Sequence, residues 1–483
     1  MVTSCAAFNR TNRYQKGTGI SFHKKSADHL VGQSIENPFM EINMDTQLKF
    51  LHYTGLRQLD TFKDHRRKTQ LYAVYTGFIL SVVITHGFTM AIAAFQYLGD
   101  LQNVAMIISM VLSYIEVSFK IIDMILYKDR IDRLVSTLVE DFSGIDVLVG
   151  QEQSDILLES TQLTNKIIKL YVTAGIIAGG SWCLEPFLSK IVHMLINDGT
   201  VHERQLPFMA WFPFDAHKSP MYEIAFLFQV IAGVVGTSIT VAADVLFISF
   251  MIYSACHLQM LGNSLENLRR AVLNRHRGNG IHTKRISSSW QETALRTSTE
   301  HYFTLDNIFG ESTLEQVPGQ VVDSNLDKQL AEELKKCIQH HQSILGFISD
   351  LEKIISPVML FQFLATTLEI CLAGFQAKLG SSLHPSFFKF VLYTTANIIQ
   401  TFCYCKFGDN ITVESMNFAT SSYNSEWYEG SEKFKRTVRI LLLRSHRPII
   451  LWAGSFYTVT LKTFANLMNH AYSFFTLLSQ IDE

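Results

Sequence analysis

The chain has 483 residues, of which 48% are hydrophobic and only 17% are charged, and its formal net charge is -2. A soluble domain carries nearer a quarter charged residues, so the composition favours a membrane protein over two or three soluble domains. A net charge this close to neutral gives no indication of a nucleic-acid partner, and none is predicted. Nucleophile elbows, phosphate-binding loops and metal-ligand spacings are not found, so we predict neither an enzyme, nor a cofactor, nor a metal site.

Seven apolar stretches are long enough to cross a bilayer as helices. A hydrocarbon layer of ~30 Å requires about 20 apolar residues in a helix, because lipid cannot satisfy the polar groups of the backbone. The stretches are residues 71–98, 103–127, 167–195, 221–253, 354–377, 387–407 and 449–479. The sequence therefore predicts an all-α, polytopic membrane protein with seven transmembrane helices.

Positive charge is concentrated on one side of this predicted bundle. Most of the 41 Lys and Arg residues fall in four polar segments, which are residues 1–70, 128–166, 254–353 and 408–447. The alternate connections hold about three, namely Arg204, Lys218 and Lys378. Segments rich in Lys and Arg remain in the cytoplasm. We therefore predict a cytoplasmic N-terminus and an extracellular C-terminus.

The longest polar segment, 254–353, is predicted to have helical ends and a different middle. Residues 254–272 and 329–356 show helical periodicity and continue the flanking spans. Ser, Thr, Asn and Gly dominate residues 274–327, which predicts a disordered linker.

The C-terminal region carries the most specific motifs. Residues 423–429 read YNSEWYE and residues 471–478 read AYSFFTLL. With Arg447-Pro448 and Ala453-Gly454, these motifs resemble the signature of insect odorant receptors, and residues 206–213 (LPFMAWFP) are similar to the second outer loop of that family. The resemblance extends over roughly residues 70–483.

This resemblance implies an odorant-gated, non-selective cation channel. Such a channel is a tetramer whose pore is lined by the seventh helix, and each subunit has its own pocket for a small, volatile, apolar ligand. Most members are odour-tuning subunits that assemble with an obligate coreceptor as a heterotetramer. The expected location is the plasma membrane of olfactory sensory neuron dendrites, so membrane lipid is an expected contact.

Three other functions remain open. The cytoplasmic loop of about 100 residues is a feature of the coreceptor, whereas the C-terminal block favours an odour-tuning subunit, which is the interpretation we adopt. The coreceptor itself is one alternative, and a receptor of a basal lineage that forms channels alone is another. A seven-span signalling receptor that does not conduct ions is the third.

The resemblance assigns a role to each predicted part of the chain. These parts are a cytoplasmic N-terminal segment (1–70), helices one to four with a ligand pocket in the outer leaflet (71–253), a long cytoplasmic loop (254–353), helices five and six (354–407), a cytoplasmic anchor (408–447) and a pore-lining seventh helix (448–483).

The last span has a polar stripe on one helix face. Thr463, Asn466, His470, Ser473, Leu477 and Gln480 recur at spacings of three and four residues. A polar stripe is costly against lipid, so it faces either water or another helix through hydrogen bonds. The resemblance favours a pore. The predicted pore and gate residues are Asn466, His470, Ser473, Leu477, Leu478 and Gln480, and the two leucines would form a hydrophobic constriction.

The predicted ligand contacts lie in spans two, three, four and six, where the resemblance places the pocket. They are Met106, Ser109, Met110, Gly175, Ala178, Trp182, Phe226, Val230, Phe387, Phe390 and Tyr393. Aromatic and aliphatic side chains with few polar groups suit a volatile ligand. Small residues also permit close helix packing, and a tryptophan also anchors a helix at the membrane interface. Ordinary packing is therefore the alternative for each position.

Two further features require partners. Trp427 and Tyr428 are adjacent aromatic residues in a polar segment, which predicts a subunit interface there, with a solvated helix as the alternative. Asp244 lies deep within the fourth span, so it requires a polar group from another helix or water from a vestibule.

The topology can be tested through two glycosylation sequons, Asn9-Arg10-Thr11 and Asn410-Ile411-Thr412. Both lie on the predicted cytoplasmic side, so the chain expressed in animal cells should show no mass shift on endoglycosidase treatment. Asn9→Gln and Asn410→Gln are the matched controls. A shift that disappears in Asn9→Gln would place the N-terminus outside and refute the predicted orientation.

Overall fold

The computed structural model describes residues 44–57, 66–142, 151–196, 204–275, 324–379 and 385–481, and these residues are mostly helical. The α-helices are α1 (Asp45–Tyr53), α2 (Arg66–Gln96), α3 (Leu101–Leu126), α4 (Lys128–Ser136), α5 (Gln151–Ile196), α6 (Met221–Glu266), α7 (Ser324–Leu379), α8 (Pro385–Asn424), α9 (Glu432–Ser445) and α10 (Leu461–Ile481). A π-helix (Thr137–Asp141), a 3-10 helix (Trp427–Glu429) and two short strands, β1 (Trp452–Ala453) and β2 (Tyr457–Thr458), complete the set.

Helix α6 lies at the centre of the bundle. It contacts α1, α2, α3, α5, α7 and α8, and every residue from 241 to 258 is buried. A helix that is largely hydrophobic on all sides lies either in a protein core or in lipid, and the burial of residues 241–258 shows that other helices surround this part. The preceding part, residues 221–240, mixes buried and exposed positions, so only one of its faces packs against the rest of the bundle.

Five helices in the described part of the chain are long and apolar enough to cross a membrane, and they are α2, α3, α5, α6 and α7. Helices α8 and α10 have 40 and 21 residues and are long enough to span, but neither contains a stretch as apolar as those of the other five. The predicted all-α membrane fold is therefore confirmed, whereas the count of seven spans and their orientation stay predictions.

Several helices extend beyond the predicted spans. Helix α6 continues to Glu266 and α7 begins at Ser324, so the predicted helical ends of the long polar segment are confirmed. The predicted linker 274–327 was wrong at its ends, because residues 274–275 and 324–327 are helical. The rest of that linker lies outside the described residues.

The prediction of one continuous last span from residue 449 was wrong at its start. Helix α10 begins at Leu461, and strands β1 and β2 precede it as an antiparallel hairpin that pairs Trp452 with Thr458. The hairpin is fixed to α7, because the Gly454 N–H donates to the carbonyl oxygen and to the hydroxyl of Ser356, at 3.1 and 2.9 Å. The Trp452 N–H donates to the Glu352 carboxylate at 3.2 Å.

Gly454 is the position in this hairpin that requires glycine. Its φ is +60°, and a Cβ there would lie 2.6 Å from Cδ2 of Leu360. A side chain would therefore meet both an unfavourable backbone conformation and a steric clash. Gly346, on α7, has nothing within 4 Å of its Cβ position.

We expect Gly454→Ala to destabilise the protein by about 1–3 kcal/mol, because the hairpin must shift away from α7. Gly346→Ala should instead stabilise it by roughly 0.5–1 kcal/mol, since alanine favours a helix interior. Unfolding of the two purified variants in detergent measures both effects. Equal unfolding midpoints for the two variants would contradict the role assigned to Gly454.

Candidate functional site

A cavity of about 180 Å³ lies between α3, α5, α6, α7 and α8. Its lining combines aromatic rings, small residues and a group of polar side chains. These include the aromatic Tyr114, Tyr171, Trp182, Phe208 and Tyr393, the small Gly175, Ala178, Gly179, Gly233 and Gly236, and the polar Ser113, Glu116, Asp244, Glu369, Asn397 and Gln400. A concave, largely apolar space with a few convergent polar groups is the usual form of a small-molecule site.

Trp182 forms one wall of the cavity and is 4% exposed. Its ring stacks on Phe208 with centroids 5.3 Å apart and an interplanar angle of 5°. It also makes edge contacts with Phe390 and Tyr393, at 5.8 and 6.2 Å. Each such aromatic pair stabilises the packing by about 0.5–1.5 kcal/mol beyond burial alone. The wall is therefore well packed before any ligand binds.

Phe208 reaches the cavity from the connection between α5 and α6. Gln229 on α6 holds it, because the Gln229 side chain accepts from the Phe208 N–H at 3.0 Å and donates to the Phe208 carbonyl at 2.9 Å. The Trp211 N–H donates to the carbonyl of Thr89 on α2 at 3.0 Å. These bonds satisfy backbone groups that would otherwise be buried without partners, so they allow the connection to enter the bundle.

Small residues on α5 bring this helix close to α6. A Cβ on Gly175 would lie 3.0 Å from Val241 and 3.2 Å from Thr237, and one on Gly179 would lie 3.1 Å from the Thr237 hydroxyl. Gly175 and Gly179 also line the cavity. Close helix packing and the formation of the cavity wall are therefore two results of the same small side chains.

Glu369 on α7 is the centre of one polar group at the cavity. Its carboxylate accepts from the Ser113 hydroxyl on α3 at 2.9 Å and from the Asn397 amide on α8 at 3.1 Å. The Tyr393 hydroxyl lies 2.5 Å from that of Ser113. Glu369 is 1% exposed. These bonds join three helices through one buried carboxylate.

Lys120 and Asp244 form the centre of a second polar group. The Lys120 ammonium donates to Asp244 at 2.5 Å and to Glu116 at 2.7 Å. Asp244 also accepts from the Gln400 amide at 2.6 Å and from the Tyr404 hydroxyl at 2.7 Å. Lys120 and Asp244 are both 0% exposed. The polar partner that the sequence required for Asp244 is therefore provided by α3 and α8.

Five predicted ligand contacts line the cavity, and these are Met110, Gly175, Ala178, Trp182 and Tyr393. Six others are not among the lining residues, and these are Met106, Ser109, Phe226, Val230, Phe387 and Phe390. Phe390 instead supports Trp182 from outside the lining. Phe226 packs on Phe187 at 5.4 Å, and the Ser109 hydroxyl donates to the Met106 carbonyl. Span membership alone therefore did not identify which helix face points inward.

Sequence reasoning missed Phe208 and the polar residues of the lining. Glu369, Asn397 and Gln400 each lie within a predicted apolar span, and a polar residue there is a signal of function by default. Phe208 lies in a connection, where hydrophobic residues have no periodicity to indicate their direction. Its position follows from the two hydrogen bonds with Gln229.

The predicted pore residues share an exposed face of α10. Asn466, His470, Ser473, Leu477 and Gln480 are exposed, and Leu478 is half-buried, whereas Thr463 of the same stripe is buried. The opposite face packs against the chain through Leu467 and Ala471, which are 5% and 1% exposed. The polar face is therefore turned away from the described part of the chain.

The two aromatic residues of the anchor segment differ in their surroundings. Trp427 packs partly against the core, and the Arg439 guanidinium lies 5.8 Å from its ring centroid. The adjacent Glu429 forms an ion pair with Arg269 at 2.7 Å. Tyr428 is 61% exposed. Trp427 thus finds a burial partner within the chain, whereas Tyr428 does not, and the subunit interface predicted for the two stays a prediction.

These features define a class of protein. Long apolar helices surround a buried ion-pair network and a small aromatic cavity, which is the arrangement of a polytopic α-helical membrane protein with an internal cavity.

The chain belongs to the 7tm Odorant receptor family, whose family model matches residues 100–472. The resemblance drawn from the C-terminal motifs is thereby confirmed.

Relatives of two kinds are similar to this chain. The Odorant receptor coreceptor of Aedes aegypti is 23% identical over 361 residues, which cover 68% of this chain and 76% of the relative. Odorant receptor 82a of Drosophila melanogaster is 24% identical over 332 residues, which cover 69% and 72%. The fold is similar to that of the insect olfactory receptor OR5 from Machilis hrabei in complex with eugenol, with a TM-score of 0.68 and 16% identity over 91% of this chain and 97% of that one. These matches are to receptors rather than to enzymes.

We expect Asp244→Leu to destabilise the protein by about 3–5 kcal/mol, because Lys120 would lose one of its two carboxylate partners in a buried site. Asp215→Leu is the matched control, since Asp215 forms an exposed ion pair with Lys218 at 2.9 Å and such pairs contribute about 0–1 kcal/mol. Unfolding of each purified full-length variant in detergent gives the two differences. A loss of under 1 kcal/mol in Asp244→Leu would contradict the role assigned to this ion pair.

Proposed function

We propose that this chain is an odour-tuning subunit of a ligand-gated, non-selective cation channel. It has seven transmembrane helices with a cytoplasmic N-terminus and assembles with a coreceptor as a heterotetramer in the plasma membrane of olfactory sensory neuron dendrites. A small volatile ligand binds in the cavity between α3, α5, α6, α7 and α8. The buried, aromatic cavity is the observation that carries this proposal.

The geometry of α10 supports a pore along its exposed face. A polar stripe against lipid is costly, and its members Asn466, His470 and Ser473 are exposed in the part of the chain that the structure describes. Four such faces around an axis would form a polar pathway. Leu477 and Leu478 would form a hydrophobic constriction, which closes this pathway when water leaves it. Ligand binding opens this pathway to the extent that the open state binds the ligand more tightly.

The α10 helix also has a structural connection to the cavity. Helix α7 bears Glu369 at the cavity, and one turn further its Gly374 lies against α10, where an added Cβ would be 3.4 Å from the Phe475 ring. Helix α8 bears Tyr393 and contacts α10 through Phe402 and Phe464, whose centroids are 5.5 Å apart. Both helices therefore touch the ligand site and the proposed pore helix.

A second candidate function is that of the coreceptor itself. The similarity to the Aedes aegypti coreceptor and the long polar segment between α6 and α7 favour it. In either role, Tyr428 with the neighbouring Trp427 contributes to an interface between subunits, because large exposed aromatic residues cluster at binding surfaces.

Currents recorded from cells that express this chain alone, a coreceptor alone, or both together test the proposal. We expect odour-gated current in the co-expressing cells, and we expect Ala178→Trp to abolish it because the indole would fill the cavity. Ile177→Trp is the matched control, since Ile177 is 49% exposed on the same helix and should retain the response.

The pore assignment is tested in the same cells with cysteine variants and a charged methanethiosulfonate reagent. Ser473→Cys should lose current on treatment, whereas Ala471→Cys should not, because Ala471 is buried. Robust current from this chain alone would favour the coreceptor function. Second-messenger output without any current would refute the channel, and an unaltered response in surface-expressed Ala178→Trp would refute the cavity as the ligand site.

A further inference from the structure

The cavity has two chemically different ends. One end is aromatic, with the stacked rings of Trp182 and Phe208. The other end presents the carboxyl groups of Glu116, Asp244 and Glu369, all of which line the cavity and are at most 5% exposed. A ligand that spans this space meets rings on one side and carboxylates on the other.

The charges at the carboxylate end are not balanced within the described residues. Lys120 is placed between Glu116 and Asp244, at 2.7 and 2.5 Å. In the described part of the chain, Glu369 receives hydrogen bonds from the neutral Ser113 and Asn397 and has no cation within ion-pair distance. The nearby Lys389 does not line the cavity, and it pairs with Glu185 at 3.5 Å. Three carboxyl groups therefore line the cavity, and the ammonium of Lys120, which is not itself a lining residue, pairs with two of them.

This excess of carboxyl groups over ammonium groups favours a cationic ligand over a neutral or anionic one. Burial without a cation favours the neutral form of a carboxyl group, and a cation that enters the site favours its ionised form through a charged hydrogen bond. The aromatic end offers stacking to a ring carried by the same ligand. In the described ranges no group of three His, Cys, Asp or Glu side chains is placed to hold a metal ion, which favours an organic cation.

We propose that the cavity selects small aromatic amines, with the ammonium group at Glu369 and the ring against Trp182 and Phe208. This inference rests on the proposed function of the cavity as the ligand site and specifies its ligand class. The volume agrees, because a cavity of about 150 Å³ accommodates benzene and this one measures about 180 Å³. A carboxylate of the same shape is disfavoured, because it would bring a further negative charge to an end of the cavity that already presents three carboxyl groups.

Binding of three probes to the purified full-length chain in lipid nanodiscs tests this inference. The probes are 2-phenylethylamine, 2-phenylethanol and phenylacetate, which share a ring and differ in the terminal group. Calorimetric titration should give the amine a roughly tenfold or greater advantage over the alcohol, the size expected for a charged hydrogen bond. Phenylacetate should show no binding. Equal affinities for amine and alcohol, or measurable binding of the acid, would overturn the inference without any variant being needed.

The role of Glu369 is tested by Glu369→Gln, which keeps the shape of the side chain and removes its charge. The amine-to-alcohol affinity ratio should fall roughly tenfold. Asp350→Asn is the matched control, because Asp350 is an exposed carboxylate on the same helix that pairs with Lys353, and its ratio should stay unchanged. An unchanged amine-to-alcohol ratio in Glu369→Gln would show that Glu369 does not hold the ammonium group.

The outcomes also separate this inference from the proposed channel function. Amine binding that depends on Glu369, together with absence of current in the co-expressing cells, would refute the channel and retain the ligand class. Odour-gated current with volatile alcohols or esters, together with no preference for the amine, would retain the channel and refute the ligand class. Absence of binding of all three probes to folded protein would overturn the ligand class.

Discussion

A lysine buried among carboxylates determines much of this structure. Lys120 cannot reach water, and lipid provides no partner for a charge, so the ammonium must meet carboxylates supplied by the protein itself. Glu116 lies one turn away on α3, but Asp244 belongs to α6, and the Gln400 and Tyr404 donors belong to α8. Satisfying this one charge therefore brings three helices together at a defined register. Packing of apolar side chains alone does not impose such a register, because neighbouring turns offer similar surfaces.

The cavity follows from the same constraint. Asp244 and Glu116 hold the helices together and also line the cavity, so the fold and the cavity share residues. At the opposite end, Gly175 and Gly179 allow α5 to approach α6, which places Trp182 where it can stack on Phe208. The cavity is the space that remains between an electrostatic contact and an aromatic one. Its shape therefore depends on both contacts being made.

Local sequence patterns predicted the long helices, and the ligand contacts Trp182, Ala178 and Tyr393, which were expected from the family resemblance, line the cavity. Local patterns could not predict the hairpin before α10, because an apolar run such as residues 449–460 has the same pattern whether it forms a helix or a buried turn. The positive φ of Gly454 shows that the chain turns here. Nor could local patterns predict the hydrogen bond between Glu369 and Asn397, since these residues meet only when α7 and α8 pack. Phe208 lies in a connection, and its direction depends on the distant Gln229. The features that sequence reasoning missed are thus those created by contacts between elements.

The manner in which Gln229 holds Phe208 has a consequence for how such receptors diversify. Both hydrogen bonds are made to the peptide N–H and carbonyl of residue 208, and none is made to its side chain. The clamp can therefore form with any residue except proline at this position. A codon change there would remove the stack on Trp182 and alter this wall of the cavity, while the connection stays bonded to α6. The shape of this end of the cavity can therefore vary without loss of the backbone clamp.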